Sequence, residues 1–187
     1  MSSDQYSRLK GTHAPFSPST PYWLRYDEEK LIETYRALKA KELGTRIHAL
    51  AAEHIELGIR MPGTKKTLDK YINDAIGLRM TPEQLLYYSD HFYGTADAIK
   101  LDPRKGQLIV HDLKTGVKVK PKIEQLWVYA ALYCLEHNIR PGDIEPITRL
   151  YFQDEIIEEN PSTEDIIEIC DKIKSFDKLL DKEDSSY

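Results

Sequence analysis

The stretch that decides the fold runs from Gly94-Thr-Ala-Asp97 through His111-Asp112-Leu-Lys114-Thr-Gly116 to Gln125-Leu-Trp-Val-Tyr129. Its first two parts have the alternating apolar and polar residues of β-strands, and a lysine–glycine pair supplies a turn between them. Because alternate residues of a strand share a face, Asp112 and Lys114 point the same way. A hairpin therefore brings Asp97, Asp112 and Lys114 to one place.

Two carboxylates beside a lysine suit metal-dependent cleavage of phosphodiesters. Mg²⁺ and Mn²⁺ prefer oxygen ligands, so Asp97 and Asp112 can hold either ion while a phosphate fills another position. Lys114 can then orient the attacking water or neutralise charge on the phosphorus oxygens. An acid-x-lysine sequence by itself is common, and a solvated strand end with an incidental ion pair is the alternative. The ordered set of motifs around it favours the metal site.

The motifs occur as an ordered series. They read Gly44-Thr-Arg-Ile-His48, Gly94-Thr-Ala-Asp97, Asp112-Leu-Lys114-Thr115-Gly116 and Gln125-Leu-Trp-Val-Tyr129. Each motif is weak alone, but together they resemble the PD-(D/E)XK nuclease superfamily, and within it the RecB-like exonuclease branch. The resemblance covers about residues 40–135 and implies an α/β fold. In that restriction-endonuclease-like core, a central mixed β-sheet is flanked by helices in the order αβββαβ.

The resemblance also implies roles for individual residues. The metal ligands would be His48, Asp97 and Asp112, with the main-chain carbonyl of Leu113 as a possible further ligand. Lys114 would be the catalytic lysine, and Gln125 and Tyr129 would order the site or the DNA backbone. The cofactor implied is Mg²⁺ or Mn²⁺.

His48 lies in a segment that predicts a helix over residues 44–57, after another predicted helix over residues 22–40. A lone helical histidine is usually a satisfied or solvated side chain, so the motif is what favours metal ligation. Glu53 on the same helix is either a second-shell support for the metal or an exposed helix charge. The residues expected on the buried face of this helix are Ile47, Leu50, Ala51, His54 and Ile55.

Gln125 and Tyr129 are four residues apart and share a face of the predicted helix over residues 123–136. Plain core packing is the alternative for Tyr129, but a side-chain amide beside a core needs hydrogen-bond partners. The remaining predicted elements are a helix over residues 67–79, a strand over 84–89, strands over 147–153 and 156–157, and a closing helix from Ser162 to about Leu180.

Composition indicates one globular domain, since 41% of the 187 residues are hydrophobic and 30% are charged. We expect an irregular N-terminal arm over residues 1–20, a single nuclease domain over residues 21–182 and a frayed tail over residues 183–187. The chain shows no apolar run of membrane-spanning length and no apolar signal core, which predicts a cytoplasmic protein without a membrane partner. Cys134 and Cys170 are too few to ligate an iron–sulfur cluster, and we expect both to be reduced and buried.

The net charge of −5 argues mildly against a large nonspecific DNA-binding surface. Lys118, Lys120 and Lys122 nevertheless form a basic segment beside the acidic residues, and this is either a phosphate-binding rim or a solvated loop. Tyr22 and Trp23 are candidates for stacking on unpaired bases, although half-buried packing is the commoner role of such aromatic residues.

These observations predict a Mg²⁺- or Mn²⁺-dependent DNA exonuclease that leaves a 5′-phosphate, as the resemblance implies. Its partner would be DNA, as single strands or duplex ends, in recombination, repair or phage DNA processing, with a possible recombination partner protein. Two alternatives stay open: a structure-specific flap endonuclease that uses the same site, and a non-catalytic DNA-binding or assembly subunit with the same fold. Polarity, strand preference and oligomeric state are not encoded in these motifs.

Overall fold

A computed structural model of the chain describes residue 7, residues 9–116 and residues 122–186. The chain divides into two compact units, with the boundary between Thr45 and Arg46. The described part of the first unit contains a short 3₁₀-helix, Pro21–Arg25, where residues 22–40 were expected to form an α-helix. The long helix α1 then runs over Glu28–Leu57, where two separate helices were expected.

The second unit contains a five-stranded mixed sheet with the strand order β1-β2-β3-β4-β5. Neighbouring strands are antiparallel except for β3 and β4, which are parallel. The expected α/β architecture of a mixed sheet flanked by helices is confirmed. The elements after α1 are α2 (Thr67–Leu78), β1 (Thr81–Tyr87), β2 (Tyr93–Asp102), β3 (Gln107–Lys114), α3 (Glu124–Glu136), β4 (Glu145–Phe152), β5 (Glu155–Glu158) and α4 (Thr163–Asp184), with a 3₁₀-helix at Pro141–Asp143.

The central strand β3 is buried along almost its whole length because apolar side chains cover both of its faces. Leu108 and Val110 pack in a core with residues of α3 and α4, whereas Ile109 and Leu113 pack in a second core with residues of α1 and α2. Each such side chain contributes about 1.5–3 kcal/mol when it is fully buried. Leu50 of α1 was expected on the buried face but is 42% exposed.

The β-ladders end at different places on the two sides of β3. The pairing with β2 runs from Asp102↔Gln107 to Ala98↔His111, whereas the parallel pairing with β4 continues to Lys114↔Phe152. Asp97 and Asp112 therefore lie at the point where β2 and β3 part. Main-chain groups of β3 at this point are available to side chains instead of to a neighbouring strand.

The closing helix α4 begins where it was expected, after Ser162, which forms a reciprocal capping box with Asp165. Cys170 of this helix and Cys134 of α3 are both buried free thiols. Burial raises the pKa of the Cys134 thiol to about 12, so it stays protonated and unreactive at neutral pH. In the described part of the chain, no helix combines the length and the apolar character needed to cross a membrane.

Candidate metal centre

The first part of the site joins helix α1 to strand β2. His48 Nδ1 lies 3.3 Å from Asp97 Oδ2, and both side chains are largely buried. The same Asp97 oxygen accepts a hydrogen bond of 2.8 Å from the main-chain N–H of Leu113. The aspartate thus takes the place of a ladder partner where β2 and β3 part, which fixes the carboxylate between the two strands.

Glu83 of strand β1 is a third member of this group, and it belongs to none of the sequence motifs. Ligand atoms of His48, Glu83 and Asp97 all lie within 4.8 Å of one another. Glu83 faces Asp97 across the β1–β2 pairing, since the register pairs on either side are Pro82↔Ala98 and Gln84↔Ala96. No local signal identifies it, because the opposition of the two acids exists only once the register is known.

Asp112 is buried where the strands part, with its side chain only 2% exposed. Lys114 Nζ lies 3.0 Å from each of its carboxylate oxygens and donates a hydrogen bond to Oδ1. The other oxygen, Oδ2, is buried and accepts no hydrogen bond from any described residue. The Lys114 ammonium therefore compensates part of the charge on Oδ2 without a hydrogen bond, and a bound cation would give this oxygen a second partner.

A chain of hydrogen bonds holds Lys114 from the other side. Lys114 Nζ donates to Gln125 Oε1 over 2.9 Å, and Gln125 Nε2 donates to the hydroxyl of Tyr129 over 3.1 Å. Gly94 makes room for this tyrosine, because a Cβ atom at that position would lie 3.1 Å from Tyr129 Cε1. The structure therefore brings together the lysine, the glutamine and the tyrosine selected from sequence.

The acidic groups of the site disturb one another's protonation. The hydrogen bond with Asp97 raises the pKa of His48, and burial opposes that shift. Burial, followed by the charge of Asp97, raises the pKa of Asp112 to about 6, although Lys114 opposes the shift. Burial and the charge of Asp97 also raise the pKa of Glu83. Neighbouring carboxylates that resist ionisation together indicate a place where a cation would be stabilised.

Tyr71 of helix α2 is a second residue near the site that belongs to none of the sequence motifs. Its side chain is 2% exposed, and its ring meets the Tyr151 ring edge-on at a centroid distance of 5.3 Å. Burial raises the pKa of its hydroxyl, and the charges of Asp97 and Asp112 act in the same direction. The tyrosine is therefore a neutral neighbour of the acidic groups.

Other predicted residues lie elsewhere or leave their roles open. Glu53 is exposed on α1, and it lies about 140° around the helix from His48. Lys122 is exposed just before α3, whereas Lys118 and Lys120 fall outside the described residues. Tyr22, which is 67% exposed, and Trp23, whose indole N–H donates to the Ser17 carbonyl, belong to the first unit. The Leu113 backbone adjoins Asp97 through its N–H, and ligation by its carbonyl stays a prediction.

The donor set fits a divalent cation of the harder kind. Asp97 and Glu83 offer carboxylate oxygens within one group and His48 adds one imidazole nitrogen, while the Asp112 carboxylate interacts electrostatically with His48 and Asp97. Carboxylates suit Mg²⁺ and Mn²⁺, and the imidazole favours Mn²⁺ over Mg²⁺.

In comparisons with family models, curated proteins and solved structures, nothing matches this chain.

Proposed function

We propose that this chain is a Mg²⁺- or Mn²⁺-dependent deoxyribonuclease of exonuclease type, with the restriction-endonuclease-like core of the RecB-like PD-(D/E)XK branch. The observation that carries the proposal is the environment of Asp112. One oxygen of this buried carboxylate accepts a hydrogen bond from Lys114, and the other lies 3.0 Å from the same ammonium but accepts no hydrogen bond from the described residues. This arrangement suits a role for Asp112 as a ligand of the cation and a role for Lys114 as the catalytic lysine beside it.

His48, Asp97 and Asp112 would hold the cation, with the carbonyl of Leu113 as the further ligand that the family resemblance implies. When bound, such an ion lowers the pKa of a coordinated water and offsets charge that develops on the phosphorus oxygens. Asp97 is suited to its part because the main-chain N–H of Leu113 already fixes its orientation. A ligand that is ordered before the ion binds loses little side-chain entropy on binding.

Lys114 would orient the attacking water or neutralise the phosphate oxygens in the transition state. Its ammonium group is held between Asp112 and Gln125, and about a third of the side chain remains exposed to solvent. A cation that is already oriented stabilises developing charge without reorganising during the reaction. In-line attack by water would break the bond to the 3′-oxygen and leave a 5′-phosphate.

Retention of the complete acid, lysine and glutamine set supports catalysis over a purely DNA-binding role. A non-catalytic subunit has no need for a lysine that is hydrogen-bonded to both a buried acid and an amide. DNA recombination, repair or phage DNA processing is the setting that this activity suits.

The test is digestion of single- and double-stranded DNA, labelled at each end, with Mn²⁺, with Mg²⁺ and with EDTA. We expect metal-dependent release of nucleotides from an end, and a loss of at least about a hundredfold in Asp112→Ala and Lys114→Ala. Lys174→Ala is the matched control, because this lysine lies on the exposed part of α4. Nicks within the DNA would show that the protein is an endonuclease and not an exonuclease. Binding of DNA without cleavage would contradict the proposal that it is an enzyme.

A further inference from the structure

Glu83 occupies a backbone position that disfavours a glutamate. Its φ angle is +46°, in the left-handed region where side chains other than glycine are strained. The side chain is exposed and accepts no hydrogen bond from the described residues, so packing does not explain it. A residue with a strained backbone and no hydrogen bond to its side chain is a candidate for a role with a ligand.

The group around Glu83 has the dimensions of a cation site. His48 Nδ1 and Asp97 Oδ2 are 3.3 Å apart, and all three ligand atoms lie within 4.8 Å of one another. Two ligands that bind one ion at right angles, each about 2.1 Å from it, are about 3 Å apart. The three side chains come from α1, β1 and β2, so the group is assembled by the fold and not by one segment.

Asp112 adds a buried carboxylate beside this group. Its Oδ2 atom accepts no hydrogen bond from the described residues and has the Lys114 ammonium 3.0 Å away, and the carboxylate interacts electrostatically with both His48 and Asp97. The Asp112 carboxylate thus belongs to the same cluster of charges as the Glu83 group, in which the negative charges outnumber the one lysine.

We propose that Glu83 is a ligand of a divalent cation, which it binds together with His48 and Asp97. This ligand assignment rests on the proposed function only in that the bound ion would serve DNA cleavage. Two carboxylates and an imidazole favour Mn²⁺, because an imidazole nitrogen is a poorer ligand for Mg²⁺. Glu83 therefore contributes to the affinity of the site for Mn²⁺ beyond the ligands given by the family motifs.

The experiment measures Mn²⁺ binding to the metal-free protein without DNA, by calorimetry and by electron paramagnetic resonance of free Mn²⁺. We expect Glu83→Gln to weaken binding by about tenfold or more, as expected when a carboxylate ligand is lost, and His48→Ala to act similarly. Glu155→Gln is the matched control, since Glu155 is an exposed glutamate on the edge strand β5. Wild-type affinity in Glu83→Gln would overturn the inference.

Two further variants separate failure of this inference from failure of the proposed function. Lys114→Ala should lose cleavage without losing Mn²⁺ affinity, because the lysine is not a ligand and its positive charge opposes a second cation beside Asp112. Glu83→Gly should also lose Mn²⁺ affinity while its unfolding temperature in EDTA stays at or above that of the wild type, because glycine adopts a positive φ readily. If the wild type cuts no DNA but Glu83→Gln loses Mn²⁺, the ligand assignment stands and the nuclease proposal falls.

Discussion

At the scale of single residues, the position of Lys114 depends on Gln125 as well as on Asp112. We expect Gln125→Ala to lower the rate of the proposed cleavage by about tenfold or more, since a hydrogen bond to a charged group contributes about 1.5–3 kcal/mol. Single-turnover rates at saturating Mn²⁺ would measure the effect. Gln107→Ala removes a glutamine at the opposite end of β3, where it donates to Glu145, and should leave the rate unchanged. Equal cleavage rates in the two variants would show that Gln125 does not contribute to the reaction.

Gly94 is a steric requirement of the same hydrogen-bond chain. In Gly94→Ala the new methyl group would sit 3.1 Å from the Tyr129 ring, so the ring must move and the Gln125 bond must lengthen. We expect a loss of about 1–2 kcal/mol in the free energy of unfolding, measured in urea. Gly63→Ala is the control, because a Cβ there meets no atom within 4 Å. A Gly94→Ala variant as stable as this control would contradict the packing argument.

The residues that sequence predicted correctly are those whose relation is local. Asp112 and Lys114 share a face because strand geometry places alternate residues together, and Gln125 and Tyr129 meet because helix geometry places fourth neighbours together. Glu83 depends instead on how β1 aligns with β2, and no periodicity encodes that alignment. Its membership of the site could only be found in three dimensions.

At the scale of elements, α4 is fixed at its N-terminus by a local signal. The Ser162 hydroxyl accepts a hydrogen bond from the Asp165 N–H, and the Asp165 carboxylate accepts one from the Ser162 N–H. We expect Ser162→Ala to lower the free energy of unfolding by about 1 kcal/mol, measured by urea denaturation, without changing Mn²⁺ affinity. Ser175→Ala, an exposed substitution inside the same helix, should not destabilise. A destabilisation of equal size in both variants would show that the cap is not responsible.

Element boundaries were predicted less well than element types, and the reasons are physical. Strand β1 covers Thr81–Tyr87, although the sequence suggested residues 84–89, because Pro82 weakens the strand signal. The structure admits this proline because β1 is an edge strand, where a missing N–H is tolerated. Similarly, the sequence suggested that one helix ends at residue 40 and another begins at Gly44, but α1 continues through Gly44 over Glu28–Leu57. A single helical glycine costs only about 1 kcal/mol, which surrounding residues can offset.

At the scale of the whole molecule, the acidic site couples stability to pH. Asp112 has a pKa of about 6 in the folded protein against an ordinary value of 3.8, so folding favours its protonated form. Its contribution to stability is therefore present below about pH 4 and is lost as the pH rises through 6. The pKa of His48 is also raised, so its contribution is present below pH 6.5 and is lost as the pH rises further. Both groups act in the same direction.

We accordingly expect the free energy of unfolding of the metal-free protein to fall by about 2–3 kcal/mol between pH 4 and pH 7, at about 1.4 kcal/mol per pKa unit. Urea denaturation in EDTA at a series of pH values would measure this slope. Asp112→Asn should remove most of the slope between pH 4 and pH 6, whereas the exposed turn variant Asp154→Asn should keep it. Saturating Mn²⁺ should restore stability at pH 7, because an ion that binds only the folded protein stabilises it by mass action. If Asp112→Asn kept the wild-type slope, ionisation of Asp112 would not be the cause of the loss of stability with rising pH.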